Sequence, residues 1–472
     1  MNRLTALALV AALWAGIYLP GLGSTEIKGE EGRRILPAMT MLETGGWLVP
    51  YVGGKPFLRK PPLVNWAIAG MFAVTGVRNE WTARLPAALC VLALGLVIVA
   101  VSGAGWMTLE ASVVAAVMAM TQAGLMAKAR FAGAEIEGIY APLSGMAMVL
   151  WLAWRARGVT PWLLWTVPGV LLGLACLAKG PSLHLLYYYV VVVAVLWRER
   201  GMRALLHPAH FAGLAVAAGI FAAWAVPYFQ TPEAHGAAEV WKRQGIDRFT
   251  DSEFNAVNYF TNIPRALADL LPWVLLAPVL IGALRRARDA APRTDRALAL
   301  AVAICFAAVL LVPGTLPRYV LPLGVPFALL LASAVCAAGE ARALRLTVGA
   351  GVVASLAMWA YAVWIVPRIN AHDDIRPVAA SIDSAIPPGG QLTIYDPGYL
   401  PAIFYLRTKY RYAPVLEAIP ADAEWVLARG AARRKFAGKR PDLRVVKTIE
   451  GKDGAELLLL QPASSGEKVA AP

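Results

Sequence analysis

The sequence predicts a mainly α protein: a polytopic transmembrane helix bundle of about eleven spans, followed by a small extracytoplasmic α/β domain. Three observations lead there. Of the 472 residues, 58% are hydrophobic and only 16% are charged, against about half and a quarter in soluble domains. The apolar residues fall in runs approaching the ~20 residues that cross hydrocarbon, not in amphipathic stripes. The cations gather in alternate loops between those runs, as the positive-inside rule requires. A soluble single core is excluded. The net charge of +14 is explained by Lys and Arg retained beside anionic lipid, and no nucleic-acid partner is expected.

The runs lie at about 5–22, 83–103, 107–126, 138–154, 161–178, 181–197, 209–227, 267–284, 297–313, 318–338 and 344–366. The first has no small-x-small cleavage site and is read as an uncleaved helix. Arg155/Arg157, Arg198/Arg200/Arg203, Arg285/Arg286/Arg288/Arg293/Arg296 and Arg342/Arg345 then share one side, which is the cytoplasm. With an odd number of spans the tail lies outside. Leu63–Val77 is short for a span and reads as an interfacial helix, since spanning would move the Arg-rich loops outward. Cys90, Cys176, Cys305 and Cys336 all sit inside apolar runs without a CxxC pair, so they read as small core residues.

The expected division is a membrane domain over 1–367, with a large first outer loop at 23–81, and an α/β domain over 368–472. In that loop, Ser24 or Thr25 caps a helix that ends at Gly45/Gly46. The tail reads as a helix at Pro377–Ile386, a strand at Gln391–Tyr395, a helix near Pro401–Arg407 and a strand at Glu424–Ala428. Two last strands, Leu443–Ile449 and Glu456–Leu460, flank Lys452-Asp453-Gly454, which is hairpin chemistry.

A charge is costly at membrane depth, so ionisable residues there mark function by default. They are Glu26, Glu30, Glu31, Arg33, Arg34, Arg59, Lys60, Arg130, Glu135, Glu137, Lys179 and Arg318, nearly all on the outer side. Glu30/Glu31 and Arg33/Arg34 stand just above the first span, where a solvated helix with local ion pairs is the plain alternative. Prolines around Arg59/Lys60 hold those cations against the membrane surface, in the manner of a phosphate site or of simple snorkelling. Glu135 and Glu137 stand at the mouth of the fourth span, with a surface pair to Arg130 as their plain explanation. Lys179-Gly180-Pro181 leaves three residues to turn between two apolar runs. The five histidines form no HxxxH or HExxH pattern, and GxSxG, P-loop and dinucleotide fingerprints are absent.

Gly29-Glu30-Glu31-Gly32-Arg33-Arg34, then Met41 to Pro50, then Lys55-Pro56-Phe57-Leu58-Arg59-Lys60-Pro61-Pro62 and Trp66 resemble the first outer loop of the GT-C membrane glycosyltransferases. The likeness is to the group of lipid A aminoarabinose transferases and dolichyl-phosphate-mannose-protein mannosyltransferases, and it covers about residues 1–340. Arg130 to Glu135, Ala178-Lys179-Gly180-Pro181 and Leu316-Pro317-Arg318-Tyr319-Val320-Leu321-Pro322 resemble further motifs of that group. The family ordinarily has Asp where this chain has Glu30 and Glu135, so each carboxylate sits one methylene further out.

The resemblance implies transfer of a sugar from a polyprenyl-phosphate carrier to a lipid or protein hydroxyl at the outer face of a bacterial inner membrane. Glu30 is then the general base and Glu135 orients a substrate. Lys60, Arg59, Lys179, Arg318 and Tyr319 face the phosphate, with Glu31, Arg33 and Glu137 accessory. Attack at the anomeric carbon inverts it. The family's metal-binding Glu–His pair would fall near Arg243–Ile246 and at Arg59, where this chain has neither ligand, so no cofactor is required. The alternatives are a transporter or flippase of the same lipid-linked sugar, and a structural or sensor protein driven by its tail. A flippase needs charge along its spans, whereas here it clusters at one face.

Overall fold

The computed structural model describes residues 1–103, 105–245, 247, 255–286, 293–312, 315–450 and 456–463. The Lys452–Gly454 turn, Arg288, Pro313 and Ile246, all invoked above, lie outside these. The chain forms two compact units: Met1–Gly23 with Leu58–Trp364, and Ser24–Phe57 with Ile365–Pro472. The excursion Ser24–Phe57 thus packs with the residues that follow the last apolar helix.

The described regular elements of the first unit are all helices, and several start where the sequence offers caps. The Asn2 side chain accepts from the Thr5 N–H at 2.8 Å to open Arg3–Tyr18. Asn79 does the same for Glu80–Ala100 through Thr82, and Thr108 for Leu109–Met120 through Ala111. Each bond satisfies a donor that the first helical turn leaves open. Pro161 and Pro208 open two further helices, Pro161–Lys179 and Pro208–Phe229, at the position where a missing N–H costs nothing.

Among the described residues, five helices are long and apolar enough to cross a membrane, and up to seven if each of two bent pairs counts as one. The bends are 56° between Leu109–Met120 and Ala123–Phe131, and 88° between Tyr259–Ala268 and Trp273–Arg285. The two breaks are zipped together: Ala123 N–H donates to the Leu271 carbonyl and Gly124 N–H to that of Asp269, both at 2.8 Å. Broken helices at depth must satisfy their freed backbone groups within the protein, and these two do so mutually. Arg3–Tyr18 and Leu183–Arg198, at 16 residues each, are shorter than the runs read from hydropathy. Leu63–Thr75 has 13 residues.

The apolar surface is turned outward as much as inward. Along Glu340–Ala360, Val353, Leu356 and Trp359 are all more than half exposed, an arrangement that water would penalise and lipid does not. Where helices meet, small residues allow close approach. A Cβ on Gly169 would lie 2.5 Å from the Gly213 carbonyl oxygen, and one on Gly213 equally close to that of Trp165.

Two buried cations serve structure rather than chemistry. The Arg130 guanidinium donates to the Ile17 carbonyl at 2.7 Å and to that of Pro20, and Arg84 donates to the Leu22 carbonyl at 2.8 Å. They satisfy a carbonyl in the last turn of Arg3–Tyr18 and two in the loop just after it, where positive charge is also favoured by the helix dipole. The pairing of Arg130 with Glu135 or Glu137 raised from the sequence is therefore corrected: its donors go to the backbone.

The second unit contains a five-stranded sheet in the order Tyr410–Ala413, Leu392–Tyr395, Trp425–Arg429, Glu456–Pro462, Leu443–Glu450. The first two pairings are parallel and the last two antiparallel. Leu392, Ile394, Val426, Leu458 and Leu460 fill its core. The helix Arg376–Ala385 is found where expected; Pro401–Tyr405 is a 3-10 turn, and strand Tyr410–Ala413 and helix Arg433–Lys439 are additional. The helix expected to start at Ser24 or Thr25 begins later, as a 3-10 turn Gly29–Glu31 leading into Gly32–Thr44. The Glu31 carboxylate, not a hydroxyl, closes that start by accepting the Lys28 N–H at 3.0 Å. After it, Tyr51–Val52 and Lys55–Pro56 form a hairpin, with Gly53 and Gly54 at φ 59° and 78°, the left-handed values a two-residue type I′ turn demands.

The Gly169–Gly213 contact leaves no room for a side chain. Gly169→Val lowers stability by about 1–3 kcal/mol and depresses the melting temperature of the detergent-solubilised protein, whereas Gly219→Ala, with open space around it, leaves it unchanged.

Candidate active site

Three segments of the helical unit converge on one charged centre. Glu137 opens the helix Glu137–Ala156, where the dipole favours a carboxylate. Lys179 closes the helix Pro161–Lys179. Arg318 and Tyr319 lie in the 3-10 stretch Pro317–Leu323. The turn after Lys179 works because Gly180 takes φ 89°, a conformation closed to residues with a Cβ, and its N–H donates back to the Cys176 carbonyl at 2.7 Å.

Glu137 Oε1 lies 3.3 Å from Lys179 Nζ and 3.4 Å from Arg318 Nε. Lys179 Nζ also donates to the Tyr140 hydroxyl at 2.9 Å and stands 5.0 Å from the Tyr319 ring centroid. The Glu137 side chain is 6% exposed and that of Lys179 11%, so both charges persist only because each has the other. One carboxylate between two cations leaves a positive excess. That excess faces a cavity of about 380 Å³ lined by Arg59, Lys60, Lys179, Tyr140, Tyr319 and Trp241, among others. None of the described lining residues is a carboxylate. Its size and lining suit a phosphorylated small molecule.

Beside this centre, Glu135 is held by Lys128, whose Nζ is 3.0 and 3.1 Å from the two carboxylate oxygens. Lys128 projects from a π-helical turn, Ala127–Phe131, a distortion frequent at functional sites. Burial pushes the Glu135 carboxyl above its ordinary range; Lys128 opposes the shift and the Glu137 charge adds to it.

Glu30, Glu31 and Arg33 belong to the second unit. Arg33 Nη1 reaches the Glu30 oxygens at 2.7 and 2.6 Å, and its guanidinium lies 4.1 Å over the Tyr399 ring. Glu31 is fully buried in its capping role.

Of the residues singled out in the sequence, Arg59, Lys60, Lys179 and Tyr319 therefore line one cavity, with Arg318 bound to Glu137 beneath it. Glu137, expected to be accessory, holds the centre, while Glu135 sits to one side with Lys128. Tyr140, Lys128 and Trp241 were not anticipated. Tyr140 is three residues beyond Glu137 on the same helix face, a spacing that pointed to it. Trp241 lies far along the chain, and its Nε1 donates to the Leu58 carbonyl at 2.6 Å.

Residues 4–234 match the family model described as dolichyl-phosphate-mannose-protein mannosyltransferase. Over 348 residues the chain is 28% identical to the undecaprenyl phosphate-alpha-4-amino-4-deoxy-L-arabinose arabinosyl transferase of Pseudomonas savastanoi pv. phaseolicola, covering 72% of this chain and 63% of that protein. A Pseudomonas fluorescens protein of that name, numbered 2, is 28% identical over 339 residues, 71% of this chain and 60% of its own. The chain thus spans less than two thirds of the length of these relatives. The crystal structure of ArnT from Cupriavidus metallidurans bound to undecaprenyl phosphate superposes with TM-score 0.68 over 98% of both chains at 17% identity. The apo oligosaccharyltransferase of Archaeoglobus fulgidus gives 0.52 at 12% identity, over 90% of this chain and 69% of its own. The chain shares the fold of ArnT from Cupriavidus metallidurans. In sequence it resembles the undecaprenyl phosphate-aminoarabinose arabinosyl transferases and, over residues 4–234, the protein mannosyltransferase family.

Removing the central carboxylate strands the Lys179 charge. Glu137→Gln lowers stability by roughly 3–5 kcal/mol, read as a drop in melting temperature, and adding Lys179→Met recovers part of the loss.

Proposed function

We propose that the protein is an integral-membrane glycosyltransferase that moves a sugar from undecaprenyl phosphate, or a closely similar polyprenyl phosphate, to a hydroxyl of a lipid A-like acceptor. The observation that carries this is the cationic cavity and what adjoins it. Leu186 lines both that cavity and an apolar groove of about 890 Å³, which runs along Leu183–Arg198 past Val190, Val193 and Trp197. A polyprenyl phosphate has the matching form: a charged head for Arg59, Lys60 and Lys179, and a hydrocarbon tail for the groove. The names of the relatives point to the same donor class.

The chemistry follows from those charges. The acceptor oxygen attacks the anomeric carbon, the bond to the phosphate oxygen breaks, and the configuration inverts. Lys179 and Lys60 stabilise the charge that collects on the departing phosphate. Tyr319 faces the phosphate beside Lys179, and Glu137 fixes Lys179 and Arg318. Glu135 orients a substrate. The proton of the attacking hydroxyl is assigned to Glu30 on the resemblance alone. Divalent metal is not part of this reading, because the cations supply the positive charge that phosphate departure needs. The same reading takes all eleven apolar stretches as spans of a bacterial inner membrane, with the site at the extracytoplasmic side.

The test is transfer of labelled 4-amino-4-deoxy-L-arabinose from undecaprenyl phosphate to lipid A by the purified protein in nanodiscs. Lys179→Met is expected to lower kcat by roughly a hundredfold or more, and Glu30→Gln to a similar degree. EDTA leaves the rate unchanged. Wild-type rates in Glu30→Gln would remove the base assignment, and translocation of the donor without transfer would identify a flippase instead. Because burial raises the Glu135 carboxyl, its charge is lost on acidification earlier than that of a surface carboxylate. The acid limb of the rate profile therefore lies above the ordinary glutamate value of about 4.3, and Glu135→Gln moves that limb to lower pH.

A further inference from the structure

The motif Tyr395-Asp396-Pro397-Gly398-Tyr399 carries Pro-Gly turn chemistry, and in the second unit it is braced on both sides. Lys55 of the Gly53-Gly54 hairpin pairs with Asp396 at 2.7 Å, and Arg429 donates to the Pro397 carbonyl. Asp396 and Gly398 take φ 37° and 60°, so the loop has a defined and uncommon backbone. At its end the Tyr399 ring lies under the Arg33 guanidinium, 4.1 Å away. The backbones are equally close: a Cβ on Gly32 would stand 3.0 Å from the Tyr399 carbonyl oxygen. Arg33 in turn holds both oxygens of Glu30. A long, flexible arginine side chain left to solvent samples many rotamers; stacked on a ring it has few left.

We infer that Tyr399 is a positioning residue. Through the face of its ring it fixes Arg33, and through Arg33 it fixes the direction of the Glu30 carboxylate. This rests on the reading of Glu30 as the base. A carboxylate that must meet a hydroxyl proton is useful only when correctly aimed, and small misplacements cost large factors in rate.

The experiment compares full-length Tyr399→Ala and Tyr399→Phe, with two readouts. In the transfer assay, Tyr399→Ala is expected to lose roughly tenfold in kcat with the KM for undecaprenyl-phosphate aminoarabinose and the melting temperature unchanged. Tyr399→Phe keeps the ring face and retains wild-type kcat. In hydrogen–deuterium exchange, which needs no substrate, the peptide covering Gly29–Arg34 exchanges several-fold faster in Tyr399→Ala only. Unchanged exchange in the alanine variant, or equal loss of kcat in both variants, overturns the inference. If Glu30→Gln is fully active, or the wild type does not use this donor, the functional reading fails by itself, and exchange still decides whether Tyr399 orders the segment.

Discussion

The helical unit depends on how a carboxylate and two cations are kept ionised where solvent is scarce. Glu137, Lys179 and Arg318 come from three distant parts of the chain, and burying Glu137 or Lys179 alone would be prohibitive, whereas Arg318 keeps contact with solvent. Together they form a centre with one positive charge in excess. That excess is fixed in place before any ligand arrives, which is the form of electrostatic assistance that transfer from a phosphate leaving group requires. The surrounding fold can be read as the means of bringing these ends together: a helix start for the carboxylate, a helix end and glycine turn for the lysine, and a 3-10 stretch for the arginine.

The buried arginines show the same economics of charge in a different use. Arg130 and Arg84 are also buried, but their donors go to carbonyls at and just beyond the C-terminal end of Arg3–Tyr18. A cation at membrane depth marks either a site or an unfinished helix end, and only its partners distinguish the two. The zipped breaks at Ala123-Gly124 and Asp269–Leu271 make the corresponding point for the backbone: irregular chain is tolerated at depth where another irregular chain completes it.

In the second unit the recurring theme is attachment of Ser24–Phe57 to the residues that follow the last apolar helix. Ile27 N–H donates to the Tyr405 hydroxyl at 2.8 Å, Ile375 N–H donates to Glu26, and Asn370 Nδ2 donates to the Ser24 carbonyl at 2.7 Å. Segments more than three hundred residues apart are thereby one folded body, and the acidic motif around Glu30 is built on it.

Much of this was legible in the residues alone. Hydropathy located most of the helices, but the one helix start argued from a cap, at Ser24 or Thr25, was displaced to Gly29, because the Glu31 carboxylate, and not a hydroxyl, takes the Lys28 N–H three residues before it. Most tail strands were likewise readable from alternation, and Lys60, Lys179 and Tyr319 were found as candidates for one cavity. Partner choice was not legible. Whether Arg130 meets a carboxylate or a carbonyl, whether Glu135 or Glu137 receives Lys179, and that Tyr399 lies beneath Arg33 are long-range contacts between groups of similar local character. Local sequence gives each of them a charge and a backbone preference, but which opposite charge comes within 4 Å is settled only when the helices pack and leave each buried ion its lowest desolvation cost.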